Sequence, residues 1–171
     1  MKLLKNKIRD IADFPKQGII FKDIMPLVND PRCLRLAIEQ LIAPFHDSGI
    51  TAVAGMEARG FIFGSLAAWQ LNVGFIPLRK PGKLPYKTHS VSYDLEYGTA
   101  SLEIHHDAIQ TGDKILLIDD VIATGGTAKA SCELIEKLGG EIVACAFLIE
   151  LTELAGRDKL TDYPIHSVLK Y

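Results

Sequence analysis

Thr51-Ala-Val-Ala-Gly-Met56, Glu57-Ala-Arg-Gly60, Phe61-Ile-Phe-Gly-Ser-Leu-Ala-Ala-Trp-Gln-Leu71 and Val73-Gly-Phe-Ile-Pro-Leu78 follow one another along the chain. The first and last runs are short, apolar and β-prone, whereas Phe61 to Leu71 is long enough for a helix. A strand, a helix and a strand in that order call for a right-handed crossover between parallel strands. The alternation returns further on. Lys114 to Ile118 is an apolar strand bounded by Gly112 and Asp119, Thr127 to Leu138 is a helix stopped by Gly139 and Gly140, and Glu141 to Ile149 is another buried strand. In between, Val91 to Tyr97 and Thr99 to His106 alternate roughly and meet at Gly98, which predicts a hairpin. The predicted fold class is α/β, with a mainly parallel sheet covered by helices on both faces.

On the N-terminal side, Leu4, Ile8 and Ile11 recur at helical spacing among Lys and Arg, which predicts a short amphipathic helix ended by Pro15 and Gly18. Its basic face reads as solvated surface, because so short a helix grips lipid weakly. A second helix is predicted from Pro31 after an Asn29 or Asp30 cap. Leu34, Ala37, Ile38, Leu41 and Ile42 form its apolar face, and it ends near Pro44 to Gly49.

The chain has 171 residues, 48% hydrophobic and 23% charged, which fits one domain over residues 1–171 and excludes disorder or a fibrous rod. Nineteen Lys plus Arg against 21 Asp plus Glu leave a net charge of −2, without the excess of base expected of a nucleic-acid binder. An anionic ligand must therefore be met by local cations and backbone amides. Cys33, Cys132 and Cys145 are odd in number and lack metal-ligand spacing, so they read as buried thiols in a reducing compartment. The basic start MKLLKNKIRD leads into no apolar run of a secretory signal's length. Gly60 to Leu71, the longest mainly apolar stretch, is too short for a membrane span. The expected location is the cytoplasm, with no membrane or nucleic-acid partner.

Ligands of open parallel sheets bind beyond the carboxyl ends of the strands. At one such end Asp119 and Asp120 close an apolar strand, and Ala123-Thr124-Gly125-Gly126-Thr127 follows just as a helix begins. Glycines let amides close around an anion, the threonine hydroxyls add donors, and the helix N-terminus contributes partial positive charge. Carboxylates touching that anion would repel it, so they suit neutral hydroxyls, or a hydrated metal, one group away. A phosphorylated sugar diol fits both halves. The loop matches neither GxxxxGK[ST] nor GxGxxG. At a second junction Arg59 and Gly60 suit another anion. Arg79-Lys-Pro-Gly-Lys83 continues to Lys87 as a basic loop at the same edge, in the position of a lid. His105 and His106 would point to opposite faces of a strand, and His46, His89 and His166 have no partner at ligand spacing, so the histidines form no chelating pair.

These segments together resemble the purine phosphoribosyltransferases, in particular the adenine-specific ones, over nearly the whole chain. The resemblance runs through Phe14-Pro-Lys-Gln-Gly-Ile-Ile-Phe-Lys-Asp-Ile24, Glu57 to Gly60, Arg79 to Pro85, Tyr93-Asp-Leu-Glu-Tyr-Gly98, Asp119 to Thr127 and Glu150-Leu-Thr152. It implies a type I phosphoribosyltransferase-like sheet with a flexible lid hairpin and a small N-terminal hood for the base. It also implies a pentosyltransferase of purine salvage, in which phosphoribosyl pyrophosphate and adenine give AMP and pyrophosphate. Mg²⁺ would be carried mainly by the pyrophosphate and water, and the assembly would be a homodimer. By motif match, Ala123, Thr124, Gly125, Gly126 and Thr127 hold the 5′-phosphate, and Asp119 and Asp120 hold the ribose hydroxyls. Arg59, Arg79, Lys80 and Lys83 face pyrophosphate, some when the lid closes or from a neighbouring subunit. Glu96 handles the proton of the base, and Tyr97 orders the lid or contacts the ribose. Ile20, Phe21, Lys22 and Leu151 enclose adenine. Lys22 stands where many relatives have Arg, which favours a backbone contact there.

Two other readings share the phosphate loop. One is a transferase for another base, against which the N-terminal segment stands by resemblance. The other is a non-catalytic sensor of the phosphoribosyl ligand, against which stand the near-neutral charge and the lid with Glu96.

Overall fold

The computed structural model describes residues 1–94 and 99–171. The chain divides into two compact units, Met1–Gln40 and Leu41–Tyr171.

In the first unit the expected amphipathic helix is replaced. Only one turn, α1 (Lys2–Lys5), is helical, and Arg9–Ala12 forms strand β1, antiparallel to β2 (Ile20–Asp23). A helix this short is marginal by itself, whereas the hairpin gains cross-strand partners. Arg9 Nε donates to Asp23 Oδ2 at 3.0 Å, and Lys22 Nζ pairs with Asp10 at 2.8 Å. Leu4 is buried, but Ile11 lies exposed on the strand. Phe14 packs edge-on against Phe21, with ring centroids 5.1 Å apart. Asp23 also accepts from the Met25 amide at the start of α2 (Met25–Val28), a turn absent from the sequence reading. The helix predicted from Pro31 forms as α3 (Pro31–Ile42). Its cap is Asp30, whose Oδ1 accepts from the amides of Arg32 and Cys33 at 3.0 and 3.2 Å.

The second unit carries the predicted parallel sheet. Strands β3 (Ala52–Met56) and β4 (Gly74–Leu78) flank α4 (Arg59–Leu71), and β7 (Lys114–Ile122) and β8 (Glu141–Glu150) flank α5 (Gly126–Lys137). β9 (Ile165–Lys170) completes the order β4-β3-β7-β8-β9, with every pairing parallel. The sequence reading stops short of β9, which pairs on one side only. The hairpin forms as β5 (Thr88–Asp94) and β6 (Thr99–His105). It begins three residues earlier than expected, because Thr88 and His89 pair with His105 and Ile104. Gly98 lies outside the described residues.

Small residues explain how α4 closes on the sheet. A Cβ added at Gly55 of β3 or at Gly64 of α4 would come within 2.8 or 2.7 Å of the Phe75 ring, which fills the space that both glycines leave. Ile115 to Ile118 and Ala144 to Ile149 form buried strand interiors, as the unbroken apolar runs predict. The three cysteines are buried and unbridged, with Cys132 and Cys145 sulfurs 3.6 Å apart.

From β3 the chain crosses outward to β4, and later from β7 outward to β8 in the other direction. Right-handed crossovers then put α4 and α5 on opposite faces, and the carboxyl ends of β3 and β7 bound the crevice between them.

Candidate active site

The acid pair and the Gly-rich loop meet at this crevice. β7 does not end at Ile118 as expected, because Asp119, Val121 and Ile122 stay paired with Phe147, Ile149 and Glu150 of β8. Asp119 and Asp120 are therefore strand residues whose side chains alternate between the two faces of the sheet. Asp119 and Val121 line a cavity of about 90 Å³ together with Met56, Phe147 and the run Ile122 to Ala128. Complete small-molecule pockets measure ~300–1,000 Å³, so this cavity matches one group of a ligand rather than a whole nucleotide.

The loop has the build of an anion cradle. Gly125 sits at φ +76°, where a side chain is strained, and caps α5. The first amides of α5, from Gly126, Thr127 and Ala128, belong to residues lining the cavity and lack intrahelical acceptors. Thr127 Oγ1 lies 3.2 Å from the Tyr93 hydroxyl of β5, so the hairpin reaches the loop directly. A second reason for glycine at 125 comes from far along the chain. A Cβ there would collide with the carbonyl of Gly156, and a Cβ on Gly156 would collide with the carbonyl of Ala123.

Asp120 is 2% exposed and pairs with Arg59 Nε at 2.8 Å. Asp119 Oδ1 accepts from the Asp120 amide at 2.8 Å. Burial and the adjacent Asp120 hold the Asp119 carboxyl well above the ordinary carboxylate range. Burial also raises Asp120, against the pull of Arg59. Hydrogen-bond donors brought to these carboxyls would stabilise the ionised form that burial disfavours.

At the second junction Gly60 permits a close approach to β7. A Cβ there would lie 2.8 Å from Asp119 Oδ1 and 3.1 Å from the Ile118 carbonyl. Glu57 organises the basic loop, since its Oε2 accepts from Arg79 Nε at 3.1 Å and from the Lys80 amide at 2.9 Å. Arg79 also donates to the Lys83 carbonyl, and Glu103 accepts from the Gly82 amide. The side chains of Lys80 and Lys83 are exposed.

The second unit thus gathers Asp119 and Ala123 to Thr127 around one cavity, with Arg59 joined through Asp120. Arg79, Lys80 and Lys83 follow the neighbouring strand end. Leu151 donates its amide to the Ile122 carbonyl at 3.0 Å, at the end of β8. Ile20, Phe21 and Lys22 belong to the first unit, where Ile20 is exposed and the Lys22 ammonium is taken up by Asp10. Glu96 and Tyr97 lie outside the described residues. Glu57, Tyr93, Gly156 and Arg157 escaped the sequence reading. Glu57 and Tyr93 stood in quoted motifs without a role, whereas Gly156 and Arg157 lie beyond the quoted motifs and gain their places only from contacts made in the fold.

A model of the phosphoribosyl transferase domain matches residues 31–168. An adenine phosphoribosyltransferase of Nitrosococcus oceani is 64% identical over 171 residues, covering all of both chains. The crystal structure of adenine phosphoribosyltransferase from Rhodothermus marinus superposes with a TM-score of 0.96 at 56% identity, over 99% of this chain and 97% of that one. The Saccharomyces cerevisiae enzyme, crystallised with an imino-altritol bisphosphate and adenine, gives a TM-score of 0.93 at 37% identity over 98% and 97%. The match spans the full length in sequence and in fold, and the chain belongs to the adenine phosphoribosyltransferase family.

Proposed function

We propose that this chain transfers the phosphoribosyl group of phosphoribosyl pyrophosphate to adenine, giving AMP and pyrophosphate, as a cytoplasmic homodimer. The observation that carries the reading is the cavity in which Asp119 stands beside the amides of Gly126 and Thr127, a grip for a phosphate ester next to an acceptor for a sugar hydroxyl. The relatives' activity and the yeast complex with adenine support the choice of base. No helix among the described residues is long and apolar enough to cross a membrane.

In this reading Ala123 to Thr127 hold the 5′-phosphate, and the motif match gives both acids to the ribose diol, of which Asp119 faces the cavity and Asp120 is paired with Arg59. The bond from C1′ to pyrophosphate breaks as N9 of adenine attacks. Positive charge builds on the ribose and negative charge on the leaving group, so Arg59, Arg79, Lys80 and Lys83 lower the barrier by facing the latter. Glu96 takes up the proton that adenine releases, Tyr97 orders the lid, and Ile20, Phe21, Lys22 and Leu151 recognise the base, roles that rest on the motif match. Magnesium would add charge neutralisation on the pyrophosphate. Among the described residues Asp119 is the single carboxylate at the cavity, and no three potential ligands gather as a cage. That donor set fits an ion that keeps several waters and arrives on phosphate oxygens.

Turnover with adenine, hypoxanthine, guanine and orotate at saturating phosphoribosyl pyrophosphate tests the proposal. Adenine is expected to be preferred by a wide margin. A preference for a 6-oxopurine moves the chain to another base, and ligand binding without pyrophosphate release from any base makes it a sensor.

A further inference from the structure

The Glu150-Leu-Thr152 motif marks the family resemblance, yet the phosphate grip gives Glu150 no task. Its carboxylate is 6% exposed at the end of β8. Arg157 grips it with two prongs, Nε on Oε1 and Nη2 on Oε2, the latter at 2.9 Å. The same guanidinium donates to the Ile165 carbonyl and to Ser167 Oγ, each at 3.4 Å, and so ties the end of β8 to the first half of β9. Lys170 Nζ adds a longer contact to Glu150 at 4.0 Å. The planar fork holds both direction and distance, as a point charge does not.

Arg157 is bonded to Gly156, whose backbone lies directly under the phosphate loop. Neither Gly156 nor Gly125 has room for a Cβ, because each backbone packs on the other segment's carbonyl. The Leu151 amide is hydrogen-bonded to the Ile122 carbonyl, immediately before that loop. Segment 151–157 is therefore anchored at one end by β7 and at the other by the buried ion pair, with the loop resting on it between.

We infer that Glu150, Gly156 and Arg157 are positioning residues for the phosphate grip: the ion pair seats Gly156, and Gly156 sets the height of Ala123 to Gly125 and thereby the aim of the first amides of α5. The inference rests on the reading that this loop holds the phosphate ester. Amides preorganised toward an anion lose their grip when displaced by a fraction of an ångström, because the donor set then has to be rebuilt on binding.

The test is calorimetric titration of the full chain with ribose 5-phosphate, together with steady-state turnover, for wild type, Arg157→Gln, Arg157→Lys and Gly156→Ala. Arg157→Gln is expected to weaken ribose 5-phosphate binding about tenfold and to raise KM for phosphoribosyl pyrophosphate in parallel, with KM for adenine changed by less than about twofold, as for loss of one or two oriented donors. Arg157→Lys, which keeps the charge without the fork, should fall in between, and Gly156→Ala should resemble Arg157→Gln. Ribose 5-phosphate affinity equal to wild type in Arg157→Gln overturns the inference, even if the variant melts earlier. If that variant does not fold, Arg157→Lys decides in the same way. A wild-type chain that binds ribose 5-phosphate but makes no AMP overturns the transferase reading alone, and one that does not bind it sinks both.

Discussion

Asp119 and Asp120 are adjacent in the chain, but the strand puts them in different company. Asp120 is sealed against Arg59, whereas Asp119 looks into the cavity with its carboxyl raised by burial and by its neighbour. A carboxyl whose folded pKa lies above its unfolded value binds protons more tightly in the folded state. Its contribution to stability therefore falls as pH rises above the ordinary 3.8 and through the folded pKa. Asp119→Asn removes this burden. The variant is expected to melt higher than wild type at pH 7 by scanning calorimetry and to bind ribose 5-phosphate more weakly. The gain should vanish at about pH 3, where the carboxyl is protonated whether folded or not; a gain that persists there contradicts the assignment. Tyr93 offers a second residue-scale test. Whichever hydroxyl donates, the bond between Tyr93 and Thr127 fixes Oγ1 at the loop, so Tyr93→Phe should raise KM for phosphoribosyl pyrophosphate about two- to tenfold, the worth of one hydrogen bond. Initial-rate kinetics with each substrate varied in turn would show whether KM for adenine stays put.

Elements meet here through glycines. α4 lies close over β3 because Gly55 and Gly64 make way for Phe75. Gly64→Ala is expected to cost ~1–3 kcal/mol through overpacking. In a double-mutant cycle with Phe75→Leu, measured by urea unfolding, the combined loss should be smaller than the sum, and strict additivity would mean that the two do not share this space. The turn into α5 is held more tightly, since Gly125 combines a left-handed backbone with the carbonyl of Gly156 against it. Alanine at 125 adds about 1–2 kcal/mol of backbone strain to a collision that only a shift of the segment at 156 can relieve. Gly125→Ala should accordingly lose both stability and ribose 5-phosphate binding, whereas Gly82→Ala, also at positive φ but with open space around its Cβ position, should lose stability alone.

For the molecule as a whole, the acids divide by sign. Arg157 holds the Glu150 carboxyl below its ordinary 4.5, and Lys7 together with the helix amides holds Asp30 at about 2. Depressed pKa values contribute stability that is present above the unfolded pKa and is lost as pH falls through the folded one. The acid pair at the cavity acts in the opposite sense. Acid unfolding monitored by circular dichroism should therefore set in below about pH 4. Arg157→Gln should flatten the part of that loss that belongs to Glu150, and an acid limb of unchanged steepness would contradict the assignment.

Strands β3, β4, β7 and β8, helices α3 to α5, the hairpin and the loop from Ala123 to Thr127 were legible in the chain because each is written within one contiguous run. Periodicity, glycine stops and an apolar strand ending in acids are all local statements, and local statements decide which backbone conformation a segment prefers. The N-terminal helix failed because its alternative, a hairpin tied by Arg9 to Asp23 and by Lys22 to Asp10, depends on partners more than ten residues away. β7 outran its predicted end for the same reason, since pairing with β8 carries it through both aspartates. Tertiary structure alone decided which aspartate faces the cavity, that Glu57 holds Arg79, and that the turn at Gly156 packs against the loop from Ala123 to Gly125. The energy of those contacts belongs to two remote segments at once, so neither segment carries it in its own sequence.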